Sequence, residues 1–148
     1  MEHRGYRKIG TDFVILERYF KPFTHSLIQT LDRSRIPYLF WMHAGECHYH
    51  INFLPERSSQ VRQALRLKEK ISKSVLRRKG SLSGEHGFGE VLLNWSGKKK
   101  SLAELHFGRR ALLQMAKTKL ALDPRLILNP GKVVPIKYLL EARRGVPC

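Results

Sequence analysis

From Cys47 to Leu54 the side chains alternate between two faces, and Pro55 ends the run. A period of two belongs to a strand, because successive residues of a pleated backbone point to opposite sides. Cys47, Tyr49, Ile51 and Phe53 take one face, while His48, His50 and Asn52 take the other. One side is made for a core; the other is polar and carries two imidazoles and an amide. Around this segment the chain is punctuated in a way that defines its neighbours. Ile9 to Leu16 reads as a buried strand through Phe13-Val14-Ile15-Leu16. Glu17 to Arg33 has Phe20, Phe23, Leu27, Ile28 and Leu31 at near-helical spacing, with Pro22 tolerable in a first turn. Pro37 breaks the chain before the apolar strand Tyr38–Met42, and Ala44-Gly45-Glu46 permits a bend into the alternating strand.

A helix is predicted from about Ser59 to Arg78, capped by Ser58 or Ser59, with Val61, Leu65, Ile71, Val75 and Leu76 inward and Gly80 as its C′ residue. A glycine-rich segment and a lysine-rich loop at Gly97–Lys100 precede a second long helix, about Ser101 to Leu120. Asp123-Pro124 and Asn129-Pro130-Gly131-Lys132 mark a turn-rich stretch, and a short strand or tail finishes the chain. The order strand–helix–strand–strand–helix points to an α+β fold. Its antiparallel sheet and flanking helices form a ferredoxin-like, split βαβ unit, followed by a C-terminal helical and turn segment. At 148 residues the chain is expected to form a single domain over 1–148.

Hydrophobic content of 42% and charged content of 27% are those of a soluble globular protein, and no apolar run reaches the roughly 20 residues of a membrane span. Met1 to Lys8 show no apolar central stretch of the kind a secretory signal has, and two distant cysteines, Cys47 and Cys148, are no disulfide framework. A cytoplasmic protein is expected, at most peripheral to the inner face of a membrane. The net charge of +16 admits nucleic acid, an anionic surface or an anionic substrate as partner. Its short clusters, such as Arg77-Arg78-Lys79 and Lys98-Lys99-Lys100, do not interleave with aromatics, which speaks for solvated surface and against a nucleic-acid footprint.

Chemistry concentrates in two segments. His43 and His50 flank the bend and strand, and Glu85-His86 sits inside Gly84-Glu85-His86-Gly87-Phe88-Gly89. Two imidazoles and a carboxylate suit an open site for zinc or a similar ion, with His86 left as a base. The spacing of His43 and His50 is no established zinc motif, so a turn histidine and surface strand histidines fit it as well. His48 reads as a strand-surface group or an additional ligand. Asn52 reads as a solvent-facing amide or a substrate contact. For Cys47 a buried thiol is expected.

Three motifs occur in order: His43-Ala44-Gly45 with His50-Ile51-Asn52; Gly80-Ser81-Leu82-Ser83-Gly84-Glu85-His86-Gly87-Phe88-Gly89; and Leu122-Asp123-Pro124 with Leu128-Asn129-Pro130-Gly131-Lys132. Together they resemble the C-terminal domain of the FAD-linked oxidases, the family of D-lactate dehydrogenase, glycolate oxidase and D-2-hydroxyglutarate dehydrogenase. The family patterns are about G-H-x-G-D-G-N-L-H-x-N, G-G-S-x-S-x-E-H-G-x-G and D-P-x-x-x-L-N-P-G-K. The resemblance implies that His43, His50 and Glu85 bind a divalent metal, zinc or manganese. It further implies that Asn52 contacts substrate and that His86 takes the proton of a D-2-hydroxy acid whose hydride passes to flavin. Asn129, Gly131 and Lys132 would lie near the flavin, and Arg7 and Lys8 are candidate carboxylate contacts.

The same resemblance implies FAD held mainly by a separate flavin-binding domain or subunit, an anionic small-molecule substrate, and an electron-acceptor protein or quinone. The chain would then be a fragment, a subunit of a split enzyme or a shortened product. A basic α+β module binding nucleic acid or anionic surfaces, without catalysis, is the alternative. The chain departs from the pattern where Glu46-Cys47-His48-Tyr49-His50 replaces D-G-N-L-H, where Trp41-Met42 precedes the first histidine, and where Glu90-Val91-Leu92-Leu93 follows Gly89.

Overall fold

In a computed structural model, which describes residues 7–144, the alternating segment becomes the central strand of a three-stranded antiparallel sheet. Strand β1 is Ile9–Val14, helix α1 is Phe20–Ser34, β2 is Tyr38–His43, β3 is His48–Phe53 and helix α2 is Ser58–Arg77. The strand order is β1-β3-β2, so β3 lies between β1 and the strand that follows the first crossover helix. This is the expected split βαβ unit. After α2 the chain returns to the free edge of β1 and makes one antiparallel bridge, with Val14 and Ser81 exchanging N–H···O bonds of 3.0 and 2.9 Å.

Register decides which residues share a face. Asp12, His50 and Trp41 stand in one row, Val14, His48 and His43 in the next, and Gly10, Asn52 and Leu39 in a third. The opposite face is apolar. Phe13 stacks on Tyr49 at 5.2 Å, and Phe23 of α1 sets its ring edge-on to both. Thr24 Oγ1 donates to the Phe20 carbonyl, so the Tyr49 hydroxyl must donate to Thr24 Oγ1, at 2.7 Å. The one polar atom of that fully buried ring is thereby satisfied.

The helices follow their patterns with local differences. Arg57, not a serine, is the N-cap of α2, and no side chain caps it. Gln60 reaches back instead, its Oε1 accepting the Glu56 N–H at 2.8 Å. The buried stripe of α2 is Gln60, Ala64, Ile71, Ser72 and Val75. Leu65 is 49% exposed, because one step along a helix turns a side chain about 100° away from Ala64. Lys68 falls within the inward stripe and donates its Nζ to the Gly10 carbonyl at 2.6 Å. At the other end Lys79, with φ 57°, is the left-handed C′ residue, and Gly80 is the next one. Gly80 N–H bonds Val75 O and Lys79 N–H bonds Leu76 O, the pairing of a Schellman motif. Glycine is needed at 80 for space, since a Cβ there would collide with Val14 O and Val75 Cγ1.

The chain forms two compact units, one running to His86 and the other from Gly87 onward. In the second, the expected lysine loop is a hairpin of β4 (Leu92–Trp95) and β5 (Lys98–Ser101). Ser96 and Gly97 both have positive φ, as a two-residue hairpin turn requires. Helix α3 (Leu102–Leu122) starts with a capping box between Ser101 and Glu104 and is interrupted at Gly108, where φ is 73°. The final segment, expected as strand or tail, is helix α4 (Ile136–Arg144), because Tyr138, Leu139 and Ala142 lie on one side and pack with Ala103, Leu112 and Ala116. No helix among the described residues is long and apolar enough to cross a membrane. Cys148 lies outside the described residues.

Candidate metal centre

The polar face of β3 is covered. His48 is 3% exposed and His50 is 2% exposed, so the surface reading of these strand histidines is overturned. As the central strand, β3 is hidden edgewise by both neighbours, and the glycine-rich segment Ser83–His86 lies over its polar side, fastened to β1.

The fastening is Asp12, a residue to which the sequence motifs assign no site role. Its Oδ1 meets His48 Nε2 at 2.5 Å and the Gly84 N–H at 2.9 Å. Its Oδ2 accepts from Ser83 Oγ at 2.9 Å and from the N–H groups of Glu85 at 3.2 Å and His86 at 2.8 Å. Burial alone would raise this carboxyl, but the His86 N–H, the His48 ring, the Gly84 N–H and the Ser83 hydroxyl outweigh it. Together they hold it well below the usual carboxylate range. An acidic residue inside an otherwise apolar strand was the available signal, since such a residue is kept only when it is partnered.

His50 is the least satisfied group among the described residues of the unit. Among the described residues neither of its ring nitrogens has a hydrogen-bond partner, although Glu85 Oε1 lies 3.3 Å from Nε2. Trp41 stacks on it at 5.3 Å. Burial first, then the His48 ring and last the His86 ring, lower its pKa against the opposing pull of Asp12 and Glu85, which disfavours the charged ring. Neutral imidazole is the form that ligates a metal.

The register brings the expected ligands together. His43, His48, His50 and Glu85 each offer a donor atom within 4.8 Å of the others'. Asp12, His50 and His86 form an overlapping group. The buried, unpartnered nitrogens of His50 beside a carboxylate and two further imidazoles fit a divalent ion. His86 stands next to them, its side chain 61% exposed, with Nε2 3.3 Å from Glu85 Oε1. Asn52 lies further along the same face of β3, in the row of Gly10 and Leu39. Arg7 and Lys8 precede β1 and are exposed. Cys47 is buried, and burial, with Glu17, raises its thiol, as suits an inert core sulfur.

Asn129, Gly131 and Lys132 belong to the second unit. Asn129 and Gly131 have φ of 43° and 85°, and Lys132 pairs with Glu90 at 2.8 Å. Asp123 organises the preceding turn by accepting from Lys119 Nζ and from the N–H groups of Ile127 and Leu128. The Lys119 contact is the largest reason its carboxyl falls to about 2.

Gly84 is where the loop touches the strand. A Cβ at this position would fall on the His48 ring, far inside van der Waals contact. Gly84→Ala is therefore expected to push the loop off the sheet and destabilise the unit by about 1–3 kcal/mol. Divalent metal should bind more weakly as well, since Glu85 moves with the loop. Urea unfolding and a zinc titration of the variant check both effects.

The family model for the FAD linked oxidases, C-terminal domain, matches residues 3–133. The mitochondrial D-lactate dehydrogenase [cytochrome] of Arabidopsis thaliana is 34% identical over 133 residues, covering 88% of this chain and 22% of the relative. D-lactate dehydrogenase [cytochrome] 1 of Saccharomyces cerevisiae, also mitochondrial by name, is 28% identical over 83% of this chain and 20% of its own length. D-2-hydroxyglutarate dehydrogenase of Xanthomonas citri is 34% identical over 62% of this chain and 19% of its own length. The chain thus spans about a fifth of the length of these relatives. A family match that extends across nearly the whole chain leads to one assignment: the chain belongs to the FAD-linked oxidases and corresponds to their C-terminal domain.

Proposed function

We propose that this chain is the substrate- and metal-binding part of an FAD-dependent dehydrogenase of D-2-hydroxy acids. The observation that carries the reading is the donor cluster of His43, His50 and Glu85, joined by His48, around a buried imidazole with no other use for its nitrogens. A zinc or manganese ion bound there would polarise the hydroxyl and carboxylate of the acid, while flavin, held mainly by a separate domain or subunit, would accept the hydride. His43 and His50 supply imidazole, and Glu85 supplies a carboxylate from a loop that Asp12 positions. His86, exposed beside Glu85, is placed to take the hydroxyl proton. Asn52 offers an amide to a substrate oxygen from the same strand face. Asn129, Gly131 and Lys132 are assigned to the flavin side. The surplus of basic residues favours an anionic substrate. The word cytochrome in the relatives' names supports an electron-accepting protein as a further partner.

Elemental analysis of the purified chain after dialysis against zinc or manganese is expected to find one equivalent of metal. D-lactate or D-2-hydroxyglutarate should then bind the loaded chain and not the chelated one. A chain that retains no metal overturns the reading. In a complex supplied with the flavin-binding part, His86→Ala should leave metal content unchanged and lower kcat by on the order of 10²–10⁴-fold, the usual contribution of a general base.

A further inference from the structure

We propose that His48 is a fourth protein ligand, so that the metal site of this chain is built from three imidazoles and one carboxylate. The proposal rests on the metal-binding reading above and goes beyond its three-residue ligand set. His48 occupies the position at which the resembled pattern has asparagine, so an imidazole replaces an amide next to the site. The substitution is not on the surface. The ring is buried, its centre lies 4.3 Å from that of His50 and 5.2 Å from that of His43, and its donor atom falls within the same 4.8 Å cluster.

Asp12 determines which nitrogen is available. Both Asp12 oxygens receive N–H or O–H donors, from Ser83, Gly84, Glu85 and His86, so the group acts as a carboxylate acceptor. The remaining contact, His48 Nε2 to Oδ1, must then place the ring proton on Nε2. In a neutral imidazole this leaves the lone pair on Nδ1. A carboxylate gripping one nitrogen and thereby aiming the other is how metal-bound histidines are oriented in general. Asp12 would in this way position two ligands at once, His48 through its ring and Glu85 through its backbone.

Four protein donors would change what the site accepts. Imidazole-rich sets favour cobalt, nickel, copper and zinc over magnesium and calcium. On a six-coordinate ion two positions would remain, enough for the carboxylate and hydroxyl oxygens of a 2-hydroxy acid.

The test uses the full chain loaded with Cu²⁺, on which pulsed electron paramagnetic resonance counts coordinated imidazole nitrogens. Three are expected in the wild type and two in His48→Asn, which restores the amide of the pattern. His48→Asn should also weaken zinc binding by more than the roughly 10–100-fold that loss of an outer-shell partner costs. A wild-type count of two overturns the proposal without requiring any variant to fold, and leaves the His43, His50 and Glu85 reading standing. The same holds if His48→Asn keeps wild-type zinc affinity and an unchanged nitrogen count. A wild-type chain that takes up no Cu²⁺ or Zn²⁺ overturns both readings together.

Discussion

Asp12→Ala is expected to destabilise the metal-free first unit by about 3 kcal/mol at pH 7. Five donors converge on this carboxylate, and a hydrogen bond to a charged group contributes about 1.5–3 kcal/mol. Summing five such bonds would overshoot, because Gly84, Glu85 and His86 are exposed and their N–H groups can turn to water once released. The loss that water cannot replace is at His48, which stays buried with a ring nitrogen unpaired, and at the half-buried Ser83. Acid should produce the same loss in the wild type. The folded carboxyl lies well below its usual range, against an unfolded value of about 3.9. Its contribution is thus fully present above about pH 4 and declines as pH falls toward the folded value. Urea midpoints of wild type and Asp12→Ala, measured in chelator, should stand apart at pH 7 and draw closer below pH 4. Equal midpoints at pH 7 would show that the loop is held by other contacts. Asp12→Asn keeps the volume but turns an amide donor toward N–H groups, so an intermediate loss is expected.

The fold was legible where chemistry is local. Alternation in Cys47–Leu54, helical spacing in Phe20–Leu31 and the breaks at Pro37 and Pro55 are short-range signals, and each produced the element expected. The differences arose where a local rule competed with another. Ser96-Gly97 is a hairpin turn whose signal was masked by the lysines after it, since Lys98–Ser101 has little intrinsic strand preference. Ile136–Arg144 followed so many turn residues that its helical spacing went unread. The site was legible in its residue types but not in its burial. Nothing local says that β3 is the central strand or that Ser83–His86 covers it, and both follow from long-range register. That is why His48 read as surface and Asp12 went unassigned: a residue is worth what its cross-strand neighbours make it.

His50→Leu should reverse its effect on stability according to whether metal is present. In chelator the wild type buries a ring whose two nitrogens lack hydrogen-bond partners, and such a group costs about 1–3 kcal/mol. Leucine is of similar size, has no polar atom and can still lie against Trp41, so the metal-free variant is expected to gain about 1–3 kcal/mol. With metal the balance inverts. A ligand that binds only the folded state adds RT ln(1 + [L]/Kd), about 4.1 kcal/mol at a thousandfold excess over Kd, more than the variant's metal-free gain. The wild type collects this term, whereas the variant, missing a central donor, forfeits most of it. The measurement is a pair of urea titrations in chelator and in saturating zinc, in which the order of the two midpoints should exchange. A variant that is several kcal/mol less stable in chelator would mean that His50 has structural partners after all. One that keeps the full zinc increment would mean that His50 is no ligand. An exchange of order would show that the chain gives up stability in its metal-free state to hold open a place for an ion.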